Sequence, residues 1–324
     1  MTEETIAEPK PQREPLWKLA LKIVISAVLI YVITRMLDFR ELGLVFGRAN
    51  WLLVALGFLL FLLAQILRTI RWHLLIVCQK PGVPFWATLN AMFVGLFLNL
   101  VLPAELGGDV VRGLWLDKVV GSRSATFASV LADRIMGMLT MAVLAAAAII
   151  MGAHHTSTST TLLVVGLCVA LIGFTAAAAS ERVASLVARL DFFPKRFDLG
   201  GKLLRFGASL RVYRGAPKTI VWALFWSLIF QAAVYESYWV LARGLGLDAP
   251  MWSFLAFVPL ITIITMVPAS LGGIGAREMG YAYFFKEVGL NTNQAVALSI
   301  ASYAFLVASS LLGGLVYATQ KRTT

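Results

Sequence analysis

Long uninterrupted apolar runs are the feature of this chain that most constrains its fold. Leu52–Leu67 contains one polar side chain, Gln65, and Met136–Ala153 contains only Thr140. A helix needs about 20 mostly apolar residues to cross about 30 Å of hydrocarbon, and these runs lack the period-2 alternation of strands. Only 14% of the residues are charged, against about 25% in soluble domains. The sequence therefore predicts an all-α polytopic membrane protein.

Six apolar segments are predicted to cross the membrane in full as helices. Their bounds are 17–36, 51–72, 125–152, 160–180, 218–243 and 294–318. Two further segments, 85–120 and 251–290, each run into a proline and a pair of glycines and then turn polar or amphipathic. We predict that both are re-entrant hairpins built from broken helices.

These segments are predicted to form a single transmembrane domain over 16–320 with two repeats. The first repeat covers 16–152 and the second covers 160–320. A polar cytoplasmic tail, 1–15, precedes the domain, and a basic cytoplasmic loop, 181–217, lies within it.

The positions of the basic residues predict the orientation. Lysine and arginine concentrate in the N-terminal tail, after the second span, in the 181–217 loop and at the C-terminus, whereas 154–161 has none. Basic loops are retained in the cytoplasm, and all four regions share one side only if the two broken segments are hairpins. The net charge of +11 is thereby explained without nucleic acid. We expect a plasma membrane, in particular a bacterial inner membrane, with both termini cytoplasmic.

The two broken segments contain the same motif. Pro103–Arg112 and Pro268–Arg277 both fit PAxLGGxxxR, and they start 165 residues apart. Three full crossings separate them, so the two copies are predicted to have opposite orientations. Inverted repeats with broken helices are typical of transporters, which bind substrate near the middle of the bilayer.

The motif residues suit the binding of an anion. Proline ends a helix and paired glycines allow close approach of the backbone, while the following helix directs its N-terminal N–H groups at the same region. Arginine adds a permanent bidentate donor for phosphate. The alternative is that the turns are packing elements and the arginines extend to the headgroups. The predicted substrate-binding residues are Asn99, Pro103, Glu105, Gly107, Gly108, Asp109, Arg112, Asp133, Arg134, Pro268, Gly272, Gly273, Arg277 and Glu278.

Other charged residues in apolar surroundings leave two interpretations open. Asp133 and Arg134 lie inside an apolar helix, where charges are expensive; they form either a structural ion-pair network, with Arg112, Glu105 or Asp109 as partners, or part of the ligand site. Glu236 is either a proton-coupling carboxylate or a partner for Arg277, for which Glu278 also qualifies.

Two arginines near the end of the second span have a similar ambiguity. Arg68 and Arg71 are one turn apart beside Trp72, a grouping typical of headgroup anchors. Gating of a substrate path is the alternative. No metal site or cofactor is predicted, because the adjacent His154 and His155 have no third ligand nearby.

Taken together, these motifs resemble the membrane region of the lysylphosphatidylglycerol synthases, a flippase-like superfamily. The resemblance extends over about residues 15–320 and rests on Arg68–Arg71–Trp72, Asn99–Arg112, Asp133–Arg134 and Pro268–Glu278. It implies a lipid substrate that is moved between leaflets. We expect a stand-alone member without the aminoacyltransferase domain, so the synthesis of a lysyl-lipid is not implied.

The leading hypothesis is a flippase or scramblase-like transporter of a lipid with an anionic or phosphate-bearing headgroup, and not an enzyme. Arg112 and Arg277 would hold the phosphate while the two inverted halves expose it alternately to each leaflet. One alternative is an enzyme that acts on a lipid phosphate, and the other is an accessory scaffold for a lipid-synthesising enzyme.

Overall fold

The computed structural model describes residues 37–101, 107–152, 156–179, 211–213, 215–266 and 273–320, together with six isolated positions before residue 37. All regular structure in these ranges is helical. In chain order the helices are α1 (Phe39–Gly47), α2 (Trp51–Gln79), α3 (Phe85–Val101), α4 (Gly107–Val120), α5 (Arg123–Gly152), α6 (Thr158–Ala179), α7 (Pro217–Gly244), α8 (Met251–Met266), α9 (Ala276–Phe285), a 3-10 turn (Lys286–Val288) and α10 (Thr292–Gln320).

Four of the described helices, α2, α5, α7 and α10, are long and apolar enough to cross a membrane. Each contains a predicted span and extends it. The largest extension is in α2, which continues to Gln79 because the polar side chains of its last turns have partners inside the protein. His73 Nδ1 lies 3.1 Å from Thr88 Oγ1, and Gln79 Nε2 donates to the Tyr213 hydroxyl at 2.5 Å.

The remaining two predicted spans are not established by the structure. The segment 160–180 corresponds to α6. The apolar part of this helix, Thr158–Gly173, is shorter than the apolar part of each of the four long helices. Most of 17–36, and most of the 181–217 loop, lies outside the described residues. Six full crossings therefore remain a prediction.

Helices α2 and α7 form an antiparallel pair at the centre of the bundle. The side chain of Asn50 caps α2 by accepting from Leu52 N and Leu53 N, and its own N–H donates to Gly244 O at 2.7 Å. Further along, a Cβ on Gly57 would lie 3.0 Å from the Ser237 carbonyl oxygen. The small residue at this crossing lets the two backbones approach closely, as is usual between membrane helices.

Helices α3 and α4 form the first hairpin. A Cβ added to Gly108 would overlap the Gly95 carbonyl oxygen and lie 2.6 Å from Asn99 Cβ. The backbones of α3 and α4 can therefore approach this closely only because glycine stands at position 108. The open end of the hairpin lies near the C-terminal end of α2. Phe85, the first residue of α3, contacts His73 of α2 edge to face there.

Helices α8 and α9 form the second hairpin, which opens at the other end of the bundle. Phe254 and Phe257 of α8 pack on Phe285 of α9 at ring distances of 5.0 and 5.5 Å. Near the turn, Gly273 adopts φ 73° and lies against Thr265. The two hairpins open at opposite ends of the bundle, and their inverted, re-entrant arrangement in a bilayer remains a prediction.

The contact between α10 and α3 generates a stability prediction. A Cβ on Gly313 would overlap the backbone carbonyl of Phe93, whereas a Cβ on Gly166 of α6 would meet open space. We expect Gly313→Ala to lower the thermal unfolding midpoint in detergent, since overpacking costs about 1–3 kcal/mol. Gly166→Ala is the matched control and should leave the midpoint unchanged or slightly higher. Equal midpoints for both variants would contradict the close approach.

Candidate functional site

A fully buried carboxylate inside the helical bundle is shared by two arginines. Asp133 of α5 accepts from Arg71 Nε through Oδ1 at 2.7 Å and from Arg112 Nη2 through Oδ2 at 3.1 Å. Both arginine side chains are 2% exposed. One carboxylate therefore joins α2, α4 and α5.

A second carboxylate extends this network towards the solvent. Asp109, in the first turn of α4, lies 3.0 Å from Arg112 Nε and 3.2 Å from Arg134 Nε. The Arg112 contact is an ion pair without a directed hydrogen bond, because Nε–H has no aligned acceptor. Asp133 alone cannot balance the charges of all the arginines in the network. Asp109 therefore balances part of the charge of Arg112 and Arg134.

Apolar and hydroxyl groups hold the guanidinium planes in place. Arg112 lies over the Trp72 ring at 4.6 Å, and Trp72 is itself fixed by its indole N–H, which donates to Ser129 Oγ at 3.0 Å. Arg71 donates to Ser227 Oγ of α7 at 2.6 Å. These contacts order the cluster before any ligand arrives.

The cluster lies deep along the helices that carry it. Arg71 is eight residues before the end of the 29-residue α2, and Asp133 is ten residues after the start of the 30-residue α5. At about 1.5 Å per residue these positions are ~12 and ~15 Å from the helix ends. The helices are ~44 Å long and hydrocarbon is about 30 Å thick, so a bilayer centred on them would cover the cluster.

A cavity of about 230 Å³ opens beside this cluster. One wall comes from α2 and α7, another from α5, and the first hairpin contributes Arg112. The second hairpin contributes three residues of α8, namely Val258, Thr262 and Met266. The cavity therefore lies between the two hairpins and the central helix pair.

Cations outnumber anions around the cavity. Among the residues that the structure describes, its lining holds one carboxylate, Asp133, and four arginines, which are Arg68, Arg71, Arg112 and Arg134. Counting Asp109 as well, four guanidinium groups face two carboxylates, which leaves a formal charge of +2 on these described residues. A positive charge of this size in a partly enclosed site favours an anionic ligand.

Arg68 differs from the other described arginines of the lining in its contacts. It is half-buried and lies 6.0 Å from the centre of the Phe230 ring, and in the described part of the chain it makes no ion pair with a carboxylate. The other three arginines of the lining are already engaged with Asp133 or Asp109.

The polarity of the cavity changes along its length. Arg71, Arg68, Gln65 and Phe61 follow one face of α2, so ten residues, or about 15 Å, separate the cationic end from an aromatic end. At the aromatic end Phe61 stacks on Tyr238 with ring centres 5.9 Å apart. An amphiphile with a charged head would match this gradient.

Comparison with known proteins identifies the family of the chain. The model of the family described as the lysylphosphatidylglycerol synthase TM region matches residues 19–314. The chain belongs to this family. The resemblance inferred from the motifs is thereby confirmed, and with it the nature of the chain as a membrane protein.

Relatives within the lysylphosphatidylglycerol synthase transmembrane family are distant but nearly full-length. A UPF0104 membrane protein of Pyrococcus horikoshii is 23% identical over 91% of this chain and 95% of its own length. A UPF0104 membrane protein of Methanothermobacter thermautotrophicus is 24% identical over 95% of both chains. A third, from Archaeoglobus fulgidus, is 25% identical over 82% of this chain and 85% of its own length. No solved structure matches the chain.

The second copy of the repeated motif places its arginine elsewhere. Arg277 pairs with Glu278 at 2.8 Å and lies 3.8 Å from the centre of the Tyr303 ring. Glu278 is fixed in turn, because it accepts from Gly275 N at 2.6 Å and from Ser299 Oγ at 3.3 Å. Arg277 is not among the described residues that line the cavity, so the paired action of Arg112 and Arg277 has no geometric support.

The structure shows the partners of the remaining charged residues. The ion pairs expected of Asp133 with Arg112 and of Arg134 with Asp109 are both present. The headgroup-anchor interpretation of Arg71 is wrong, because its side chain is buried against Asp133. Glu236 is exposed on α7, and the carboxylate that pairs with Arg277 is that of Glu278.

Other predicted site residues are only partly described. Asn99 Oδ1 accepts from Gly108 N at 3.4 Å at the contact between α3 and α4, and Gly107 begins α4. Gly273 supplies the positive φ of the second turn. The predicted residues that lie outside the described ranges are Pro103, Glu105, Pro268 and Gly272.

Several polar residues of the site were not singled out by sequence reasoning. Gln231 of α7 donates from Nε2 to Gly137 O at 3.3 Å, and Thr140 Oγ1 lies 3.0 Å from Ser227 Oγ. Gln65 and Thr140 are the sole polar side chains in their apolar runs, which is the signal that could have identified them. Across the described residues, no three His, Cys, Asp or Glu side chains lie close enough together to hold a metal ion.

The shared carboxylate generates a second prediction. We expect Asp133→Asn to destabilise the protein by about 3–5 kcal/mol, because Arg71 and Arg112 would be left as buried, uncompensated charges. Its effect would be read as a fall in the unfolding midpoint in detergent. Asp248→Asn is the control, since that carboxylate is 91% exposed in its pair with Arg243 and should change little. A stable Asp133→Asn protein would show that the cluster does not depend on this charge.

Proposed function

We propose that the protein moves a phosphate-bearing lipid between the leaflets of the membrane, in the manner of a flippase or scramblase. The observation that carries the proposal is the cavity inside the bundle, where the described lining residues include four arginines and one carboxylate. Charged groups at such depth are expensive and mark the paths of substrates. A phosphate diester supplies the anion that this charge balance lacks.

Arg68 binds the phosphate in this proposal. Its guanidinium group presents a planar set of donors that matches phosphate oxygens, and it makes no ion pair with a carboxylate among the described residues. Arg134, whose side chain is 30% exposed, adds a second cation at the same end of the cavity. Arg71 and Arg112 set the local potential while Asp133 holds them.

The size of the cavity supports binding of the headgroup alone. A volume of about 230 Å³ is below the ~300–1,000 Å³ of sites that enclose drug-sized ligands. The acyl chains therefore remain outside, beyond the end lined by Phe61 and Tyr238. Such a division keeps the charged part of the lipid in a polar site and the chains in hydrocarbon.

The two hairpins provide a route for alternating access. They enter the bundle from opposite ends, and the cavity contacts both, through Arg112 on one and Thr262 and Met266 on the other. Rocking of one repeat against the other around a fixed site is how inverted-repeat transporters open to each side in turn. We propose six full crossings with two re-entrant hairpins, and cytoplasmic termini in a plasma membrane.

Transport is proposed in preference to chemistry on the lipid. The carboxylate that lines the cavity, Asp133, is already committed to two guanidinium groups, so it is poorly placed to serve as a general base. A lipid-synthesising enzyme that delivers the substrate is a proposed partner.

Leaflet exchange in reconstituted vesicles tests the proposal. We expect wild-type protein to move a fluorescent phosphatidylglycerol between leaflets, and Arg68→Gln to slow this exchange by about tenfold, the equivalent of one charge-assisted hydrogen bond. Unfolding of the variant is not expected, because Arg68 makes no ion pair with a described carboxylate.

The matched control is Arg243→Gln, which removes an arginine from the same helix bundle at an exposed position. It should exchange lipid at the wild-type rate. Wild-type and Arg68→Gln proteins that exchange the lipid equally would contradict the proposed role of the cavity. Recovery of a chemically altered lipid would instead support the enzymatic alternative.

A further inference from the structure

A charged side chain of α7 points away from the rest of the protein. Glu236 is exposed, and among the described residues of α2, α5, α7 and α10 it is the one exposed charged residue that lies more than a full turn from both ends of its helix. It makes no hydrogen bond or ion pair with another described residue. The cavity does not account for Glu236, because its described lining does not include this residue.

The helical rotation of α7 places Glu236 opposite the buried face of that helix. At about 100° per residue, the buried residues Ser227 and Val234 are turned by about 160–180° from Glu236. The exposed residues Phe225 and Arg243 are turned by only about 20° from it. The carboxylate therefore faces outward from the bundle, on the side of α7 away from the cavity.

Glu236 also lies within the depth of the hydrocarbon layer. Trp222 and Arg243 are exposed on the outward side of α7, and these residue types anchor helices at the membrane interfaces. They are 21 residues apart, which is ~31 Å along a helix and matches about 30 Å of hydrocarbon. Glu236 is seven residues, or ~10 Å, inside the Arg243 end. Its carboxylate meets hydrocarbon unless a partner covers it.

An uncovered carboxylate in hydrocarbon is unfavourable. Ionisable side chains in membrane spans almost always face the interior of the bundle or a wet cavity and pair with one another. Asp133, the other carboxylate inside a long helix, follows this rule, because it has two arginine partners. Glu236 has no such partner within the described structure. A positive charge is therefore what the outward side of α7 lacks.

The surroundings of Glu236 suit the packing of another helix. The Glu236 face is formed by residues that follow each other at alternating intervals of three and four along the outward side of α7, namely Trp222, Phe225, Ile229, Ala232, Glu236 and Trp239. This spacing is that of a packing seam between helices. Ala232 is small and lies one turn from Glu236, which permits close approach of a second backbone. One polar residue in such a seam specifies the register of the partner.

We propose that the Glu236 face docks a transmembrane helix of another membrane protein, and that this helix carries a lysine or arginine at the depth of Glu236. An ion pair between the two helices replaces two charges that are each unfavourable in hydrocarbon by one neutral contact. The proposal does not depend on lipid transport, because the Glu236 face and the cavity lie on opposite sides of α7.

A synthetic transmembrane peptide tests the docking in phosphatidylcholine vesicles that contain the purified protein. The probe is a helix of about 20 leucine and alanine residues, with one arginine at its midpoint and a dansyl group at one end. The reference probe has leucine in place of the arginine. Association is measured by energy transfer from the protein's tryptophans to the dansyl group. We expect the arginine peptide to associate about tenfold more tightly than the leucine peptide, the equivalent of one interhelical polar contact.

Substitutions then locate the contact. Glu236→Leu should abolish the preference for the arginine peptide. Glu236→Gln should reduce it, because an amide keeps the hydrogen bond and loses the charge. Ala232→Leu should weaken association by keeping the two backbones apart. The matched control is Ala170→Leu, which makes the same change at an exposed position of α6 and should leave association unchanged. Unfolding midpoints of the four variants establish that each is folded.

Three results would overturn the assignment: equal association of the two peptides with the wild type, a preference that survives Glu236→Leu, or association with neither peptide. Energy transfer between separately labelled copies of the protein, measured without peptide, distinguishes the basic helix from a second copy of the chain. If the wild type self-associates and Glu236→Leu does not, a second copy covers the Glu236 face and the assignment to a basic helix fails. A wild type that does not self-associate supports the assignment.

Discussion

The shared carboxylate of Asp133 is the interaction on which the rest of the site depends. In hydrocarbon a single buried guanidinium group is unfavourable, and this bundle buries two of them, Arg71 and Arg112, against one aspartate. Because the three residues come from α2, α5 and α4, the ion pairs also fix the first hairpin against the central helices. The residual positive charge of the described residues then lies inside the cavity, where Arg68 makes no ion pair with a described carboxylate.

Much of this architecture could be predicted from the sequence, for identifiable physical reasons. The apolar runs of α2, α5, α7 and α10 are too long for anything except membrane helices, and proline with paired glycine marks the two breaks regardless of context. The need of Asp133 and Arg134 for partners follows from the cost of a buried charge. Their partners, Arg112 and Asp109, were among the candidates because so few charged residues are available.

What could not be predicted is which way the side chains of apolar helices face. In a soluble helix the polar face marks the solvent, but α2 is apolar on nearly all sides, so nothing in the sequence distinguishes a buried Arg71 from a headgroup anchor. The two copies of the repeat also diverge in three dimensions. Arg277 is followed at once by Glu278 and pairs with it, whereas Arg112 is followed by Gly113, pairs with Asp109 one turn earlier and also reaches across to Asp133 on α5.

Cysteine accessibility at Met138, a cavity residue of α5, tests the central claim most directly. In a background in which Cys78 and Cys168 are replaced by alanine, Met138→Cys would be treated with anionic and cationic methanethiosulfonate reagents. A positively charged, water-accessible cavity predicts faster reaction with the anionic reagent, loss of that preference on addition of Arg68→Gln, and protection by short-chain phosphatidylglycerol. Equal rates for the two reagents, or no reaction with either, would contradict the existence of an anion-binding cavity between the hairpins.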